Sequence, residues 1–190
     1  GAPWLEYKDQ ITGITVSQGI TRVGSYAFRG CTALEHLELP QTLTSIGEYA
    51  FTGCASLETV DLPQGLERLS REAFARADNL RRLHIPHSVT VLGPGGCQGC
   101  HSLEEVILPP GITAIPEQFF DCCRSLTKVE IPQGVTSIGD SAFFLCDSLT
   151  QLDLPQSLTA IAENAACVII CESDVDKSVY EGAEKTCIIS

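Results

Sequence analysis

Two short stretches of this 190-residue chain carry residues whose types and spacing could do chemistry. Cys97-Gln98-Gly99-Cys100-His101 has the C-x-x-C-H form that attaches c-type haem, two thiols to tether the macrocycle and an imidazole for the iron. The same two thiols could instead close a local disulfide or hold a metal. Cys187-Ile188-Ile189-Ser190 has the form of a C-terminal prenylation box. Glu172, Asp174, Asp176, Glu181 and Glu184 precede it, where a single lipid would need a polybasic stretch to anchor firmly. The remaining histidines, His36, His84 and His87, are scattered, and no nucleophile elbow, zinc-protease helix or phosphate loop occurs. No enzyme, catalytic residue, metal or cofactor is expected.

What must position these residues is a repeat. Pro40, Pro63, Pro86, Pro109, Pro132 and Pro155 fall 23 residues apart, each closing a Leu-Pro or Ile-Pro pair, and Val16-Ser17 holds the same place one period earlier. A fixed period in this range means a solenoid, in which each unit buries its apolar face only against its neighbours. Counting from the proline as zero, the third and sixth places are aliphatic throughout (Leu43 and Ile46, Val135 and Ile138). The eleventh holds Phe28, Phe51, Phe74, Cys97, Phe120 and Phe143, and the fourteenth Cys31, Cys54, Ala77, Cys100, Cys123 and Cys146. In register, then, Cys97 sits in a buried aromatic column and Cys100 in a buried cysteine column. His101 takes a place filled elsewhere by Thr32, Ala55, Asp78, Arg124 and Asp147, which faces solvent. This weakens the haem reading.

Places twenty and twenty-two are aliphatic between polar neighbours, as a half-buried strand requires, and proline must end that strand because it has no N–H for the ladder. Gly, Ser or Thr two places after the proline suits a turn, glycine through a positive φ and the hydroxyls by bonding the turn backbone. The stretch Asp140–Cys146 and its equivalents are expected to form a single helical turn that buries Ala and Phe. The fold class expected is an α/β-type repeat: a right-handed solenoid with one parallel β-sheet and short helical or 3₁₀ segments on the other side.

Residues 131–155, Ile-Pro-Gln-Gly-Val-Thr-Ser-Ile-Gly-Asp-Ser-Ala-Phe-Phe-Leu-Cys-Asp-Ser-Leu-Thr-Gln-Leu-Asp-Leu-Pro, resemble the leucine-rich repeats of the BspA-like (Treponema pallidum-type) family. The resemblance covers nearly the whole chain. The opening, from Ala2-Pro3-Trp4-Leu5 through Ile11 and Thr12, resembles the segment before such arrays in bacterial secreted proteins. It implies an extracellular or cell-surface bacterial protein with a role in adhesion or protein binding. The Asn ladder of common leucine-rich repeats is missing, so no function is carried over from those branches.

The formal net charge of -12 and a pI near 4.6 disfavour nucleic acid and anionic membranes. No run of 18 apolar residues suggests a transmembrane segment. With no methionine, the chain is expected to be a piece of a longer protein, a monomeric module within it. Residues 1–13 are expected to form an N-terminal cap through Trp4, Leu5, Tyr7 and Ile11, residues 14–162 the repeats, and residues 163–190 a degenerate last repeat and C-terminal cap. In that cap Val168–Ile170 and Ile188–Ile189 read as strands. A helix opening at Ser173 with Asp176 would carry Val175, Val179 and Ala183 on one face. Column cysteines Cys31, Cys54, Cys123 and Cys146 are expected to pack as small hydrophobes, because stacked parallel side chains cannot reach the dihedral a disulfide needs. Cys122, Cys167, Cys171 and Cys187 lie off the column and are expected to be the more reactive.

The expected binding surface is the concave face of the sheet. Its outward places hold His36 and Glu38, Thr59 and Asp61, Arg82 and His84, Glu105 and Ile107, Lys128 and Glu130, Gln151 and Asp153. Stacked carboxylates such as Glu38 and Asp61 would repel across one rung. The function expected is a non-catalytic, adhesion-like interaction module that binds protein or glycan through this face. A structural spacer in a larger extracellular protein is the alternative, and a redox or haem protein built on Cys97, Cys100 and His101 a further one.

Overall fold

The computed structural model describes residues 4–162, 164–165, 169–171 and 187–189. The chain winds as a parallel β-solenoid, and every ladder pairs residue i with residue i+23 across the repeats. Two ladders run along it where the sequence suggested one. The first is built from three-residue strands, β1 (Gly13–Thr15), β3 (His36–Glu38), β6 (Arg82–His84), β8 (Glu105–Ile107) and β10 (Lys128–Glu130). The second is built from two-residue strands, β2 (Arg22–Val23), β4 (Ser45–Ile46), β5 (Arg68–Leu69), β7 (Val91–Leu92), β9 (Ala114–Ile115), β11 (Ser137–Ile138) and β12 (Ala160–Ile161). Two residues are too few to display alternation, so this ladder is invisible to a periodicity argument.

The expected helical turns do not form. An α-helix sends each N–H to the carbonyl four residues back. Here the N–H groups of Tyr26, Phe28 and Gly30 donate instead to Glu48, Ala50 and Thr52 of the next coil, at 2.8, 2.9 and 2.8 Å. The residues between close tight turns, Ala27 to Gly24 and Arg29 to Tyr26, both at 3.3 Å. Aiming alternate N–H groups along the solenoid axis puts two residues per coil into the left-handed region. Tyr26, Tyr49, Glu72, Gly95, Gln118, Ser141 and Asn164 hold one such place; Gly30, Gly53, Arg76, Gly99, Cys122 and Leu145 hold the other. The glycines two places after the prolines mostly do not need it: of that column only Gly19, φ 91°, is left-handed. Hydroxyls at that place bond the neighbouring coil rather than their own turn, as Ser88 does to the Leu66 carbonyl (2.6 Å) and Ser157 to that of Val135 (2.7 Å). Among the described residues the one helix is a 3₁₀ segment, η1 (Leu5–Gln10).

One core runs the length of the coils. Aliphatic side chains of both ladders close it from two sides, and a file of rings fills the third. Trp4 stacks on Phe28 (5.7 Å between centroids), Phe28 on Phe51 (5.5 Å) and Phe51 on Phe74 (5.4 Å). Each buried ring of this kind stabilises by roughly 1.5–3 kcal/mol through area alone, with more from stacking. Trp4 also donates from Nε1 to the Ala27 carbonyl (2.9 Å). The file breaks at Cys97 and resumes with Phe120 on Phe143 (5.2 Å). In the break Phe119, fully buried, meets Phe120 edge-on at 4.8 Å and leans on Gly96. Past the repeats, β13 (Ile169–Cys171) pairs in parallel with β14 (Cys187–Ile189), each strand close to its expected place. The expected helix from Ser173, with Val175, Val179 and Ala183, lies outside the described residues, as do Cys167 and the side chains of Cys171 and Cys187.

Candidate functional site

The register decides the C-x-x-C-H motif. Cys97 and Cys100 are fully buried on the core side, and Cys100 donates its thiol to the Phe74 carbonyl at 3.2 Å. His101 points outward and meets Asp78 Oδ1 at 3.0 Å, with half its side chain exposed. Two thiols facing in and an imidazole facing out cannot converge on one iron. A hydrogen bond that the Cys97 thiol gives to Cys100, then burial, holds it well above its ordinary value, so it stays a weak nucleophile. Other thiols of the cysteine column bond backbone carbonyls of the preceding coil, as Cys100 does. Cys123 and Cys146 donate to the carbonyls of Cys97 and Phe120 at 3.2 Å, and Cys54 to that of Phe28 at 3.5 Å. Burial pushes the Cys54 thiol up to about 12. Cys122, off the column, is half-buried, and burial together with a hydrogen bond to Asp121 raises its thiol too. Among the described residues no three His, Cys, Asp or Glu side chains converge as a metal site.

The first ladder presents the residues singled out from the sequence. Arg82, Glu105 and Lys128 are successive Cα partners, as are His84, Ile107 and Glu130. One column therefore alternates cation, carboxylate and cation, which favours the stacking. Lys128 Nζ also reaches Glu130 Oε1 at 2.7 Å, and that hydrogen bond, with the charge behind it, raises the lysine above its usual range. Elsewhere on the face Thr15 donates to Glu38 (3.2 Å) and Gln151 to Asp153 (2.5 Å). His36, Thr59, Asp61 and Arg82 stand exposed. The ladder is interrupted between β3 and β6: only a bridge from Thr59 to Arg82 carries it through the coil in which Asp61 would follow Glu38. A shallow groove of about 370 Å³, with His36, Glu58 and Asn79 on its walls, lies there.

Among the described residues Ile107 is the one large apolar side chain of this face that stands half exposed, at 50%. It borders a groove of about 480 Å³ whose walls include Glu105, Pro110, Lys128, Glu130 and Pro132. The prolines and the groove arise where the strand exits into the turn. The sequence reading had Ile107 and the charged residues but not Pro110 or Pro132. It also passed over Tyr26 and Tyr49, whose rings stack at 5.0 Å with an interplanar angle of 10°. Their spacing of 23 residues was the available signal.

The sequence matches the profile of the BspA type leucine rich repeat region, in six copies, over residues 5–123 and 73–168. Among solved structures the chain is similar to a leucine-rich repeat protein of T. pallidum, with TM-score 0.69 and 28% identity over 74% of this chain and 66% of that one. It is also similar to a leucine-rich repeat protein of Bacteroides ovatus, with TM-score 0.64 and 25% identity over 87% of this chain and 50% of that one. A leucine rich cell surface protein of Faecalibacterium prausnitzii shares the fold, with TM-score 0.59 and 22% identity over 94% of this chain and 64% of that one. The chain thus spans about two thirds or less of these relatives. No curated protein matches the sequence.

Proposed function

From the premise that the chain belongs to the BspA type leucine-rich repeat family, a family of interaction and surface modules on non-enzymatic scaffolds, we propose that it is an adhesion-like module of a secreted or cell-surface protein that binds a protein partner through its first ladder. In this reading residues 14–162 are the binding body, residues 1–13 and 163–190 its caps, and the whole a monomeric part of a longer chain. The observation that carries it is the half-exposed Ile107 beside an open groove, set among Arg82, His84, Glu105 and Lys128. Interfaces anchor on such groups, an apolar side chain in a recess and an arginine able to make several bonds, with charged residues around them. A protein supplies an apolar side chain able to fill this groove.

The experiment is capture of extracellular proteins on the immobilised chain, followed by affinity measurement with the purified partner. Arg82→Ala and Ile107→Asp are each expected to weaken binding at least tenfold, about 1.4 kcal/mol. Asp140→Ala, away from this ladder, is expected to leave it unchanged. Equal affinity of the first-ladder variants and the parent overturns the site. No captured partner at all favours a structural spacer.

A further inference from the structure

The second ladder carries a different surface. Arg22, Ser45 and Arg68 are successive Cα partners, so two guanidinium groups stand in one column, two rungs or roughly 10 Å apart, with a serine between. They wall a groove of about 370 Å³ together with Ser25, Glu48 and Ser70. The chain is strongly acidic, and Arg71, Arg81, Arg124 and Lys128 are all engaged by carboxylates. Among the described residues Arg22 and Arg68 have no such partner. Ser25 accepts a hydrogen bond from the Glu48 N–H at 3.2 Å, which leaves its own proton to give.

The residues that follow Ser25 and Glu48 are Tyr26 and Tyr49. Arg29 lies 5.8 Å from one ring centroid and 5.7 Å from the other, while the centroids are 5.0 Å apart. The guanidinium thus lies within cation–π distance of both rings. Tyr26 is 49% exposed. Both tyrosines sit in left-handed backbone, φ 61° and 56°, a conformation that costs a bulky residue roughly 1–2 kcal/mol. Gly95 and Asn164 hold the same place in other coils, residues that adopt it readily. Glu72, Gln118 and Ser141 hold the same place too, so the left-handed backbone belongs to every coil and does not itself call for an aromatic side chain.

We infer that this surface of the first three coils binds an acidic polysaccharide, a sugar chain bearing carboxylate or sulfate groups. A pyranose presents an apolar face of C–H groups that fits the negative face of an exposed tyrosine. Arg22, Arg29 and Arg68 supply forked donors for the anionic groups, and the serines and Glu48 suit ring hydroxyls. A phosphopeptide would use the arginines but not the stacked rings. The site is separate from the Ile107 groove and does not depend on it.

The test is calorimetric titration of the whole chain with a sulfated heparin oligosaccharide, an unsulfated hyaluronan oligosaccharide, a neutral dextran oligosaccharide and a phosphoserine peptide. Saturable binding of one or both acidic sugars, weakening as salt rises, is expected, and which one binds distinguishes sulfate from carboxylate recognition. The double variant Arg22→Ala/Arg68→Ala should lose at least tenfold. Tyr26→Asn should lose at least fivefold while its urea midpoint holds, because asparagine takes the left-handed backbone without strain. Arg124→Ala and Ile107→Asp should bind like the parent. The inference is overturned if no acidic sugar binds, if dextran binds as well, if the phosphopeptide binds more tightly, or if the arginine or tyrosine variants retain parental affinity.

Discussion

Gly96, Cys97 and Phe119 together test how the core is packed. In the other coils the place of Gly96 and Phe119 holds alanine (Ala27, Ala50, Ala73, Ala142 and Ala165), followed in most by the phenylalanine of the ring file. Here the ring is missing at Cys97, and one coil on an extra ring, Phe119, leans back. A Cβ added to Gly96 would lie 2.4 Å from Phe119 Cε2 and 3.0 Å from Cδ2 and Cζ. Phe119 cannot swing away, because it is fully buried against Phe120. Gly96→Ala should therefore destabilise by about 1–3 kcal/mol, the range for overpacking. Phe119→Ala should lose about 3–5 kcal/mol, through transfer and cavity. The triple variant Gly96→Ala/Cys97→Phe/Phe119→Ala restores the common pattern. It lets a ring at position 97 join Phe74 and Phe120, and should fall within about 1 kcal/mol of the parent, far from the sum of its parts. Urea unfolding followed by circular dichroism, with an unchanged slope, reads all three. A Gly96→Ala variant within about 0.5 kcal/mol of the parent, or a triple variant no better than Phe119→Ala alone, refutes the idea that Phe119 replaces the missing ring.

Phe51→Ala and Phe143→Ala remove rings from the regular file and should each cost about 3–5 kcal/mol; a urea-measured loss under about 1 kcal/mol contradicts their burial. Native protein should react slowly with Ellman's reagent at Cys31, Cys54, Cys97, Cys100 and Cys123 and fully once unfolded without reductant, and peptide mapping that finds them bridged coil to coil would overturn the parallel thiol column. Stability should be level below the ordinary thiol value of 9.0 and fall from there towards about 12, because the unfolded chain releases the Cys54 proton in that window and the folded chain keeps it. Urea midpoints between pH 8 and 10.5 check this, and Cys54→Ala should lessen the fall without abolishing it, because buried thiols such as Cys97 and Cys123 are raised too. Trp4→Ala uncovers Phe28 and removes the bond to Ala27, so it should lower the urea midpoint, while a variant indistinguishable from the parent would show that the first coil needs no such cover.

The period was enough to place most of what lies inside the coils. Because a solenoid coil packs only on its neighbours, residues 23 apart must share an environment, and the columns of Leu43, Phe51, Cys54 and Leu57 follow directly. The same logic put His101 outside and Cys97 inside, and named the exposed columns through Arg82 and Ile107. It did not reach the path of the backbone between the ladders. Whether the N–H of Phe28 turns back to its own coil or across to Ala50 depends on a carbonyl 22 residues away, and no local propensity records that. Local composition suggested a helical turn; the neighbouring coil offered better-aligned acceptors and took the hydrogen bonds. The two-residue ladder, the interruption beside Asp61, the lean of Phe119 on Gly96 and the stacking of Tyr26 on Tyr49 are likewise contacts between coils. They exist only once the coils are laid side by side, and so the tertiary structure alone decided them.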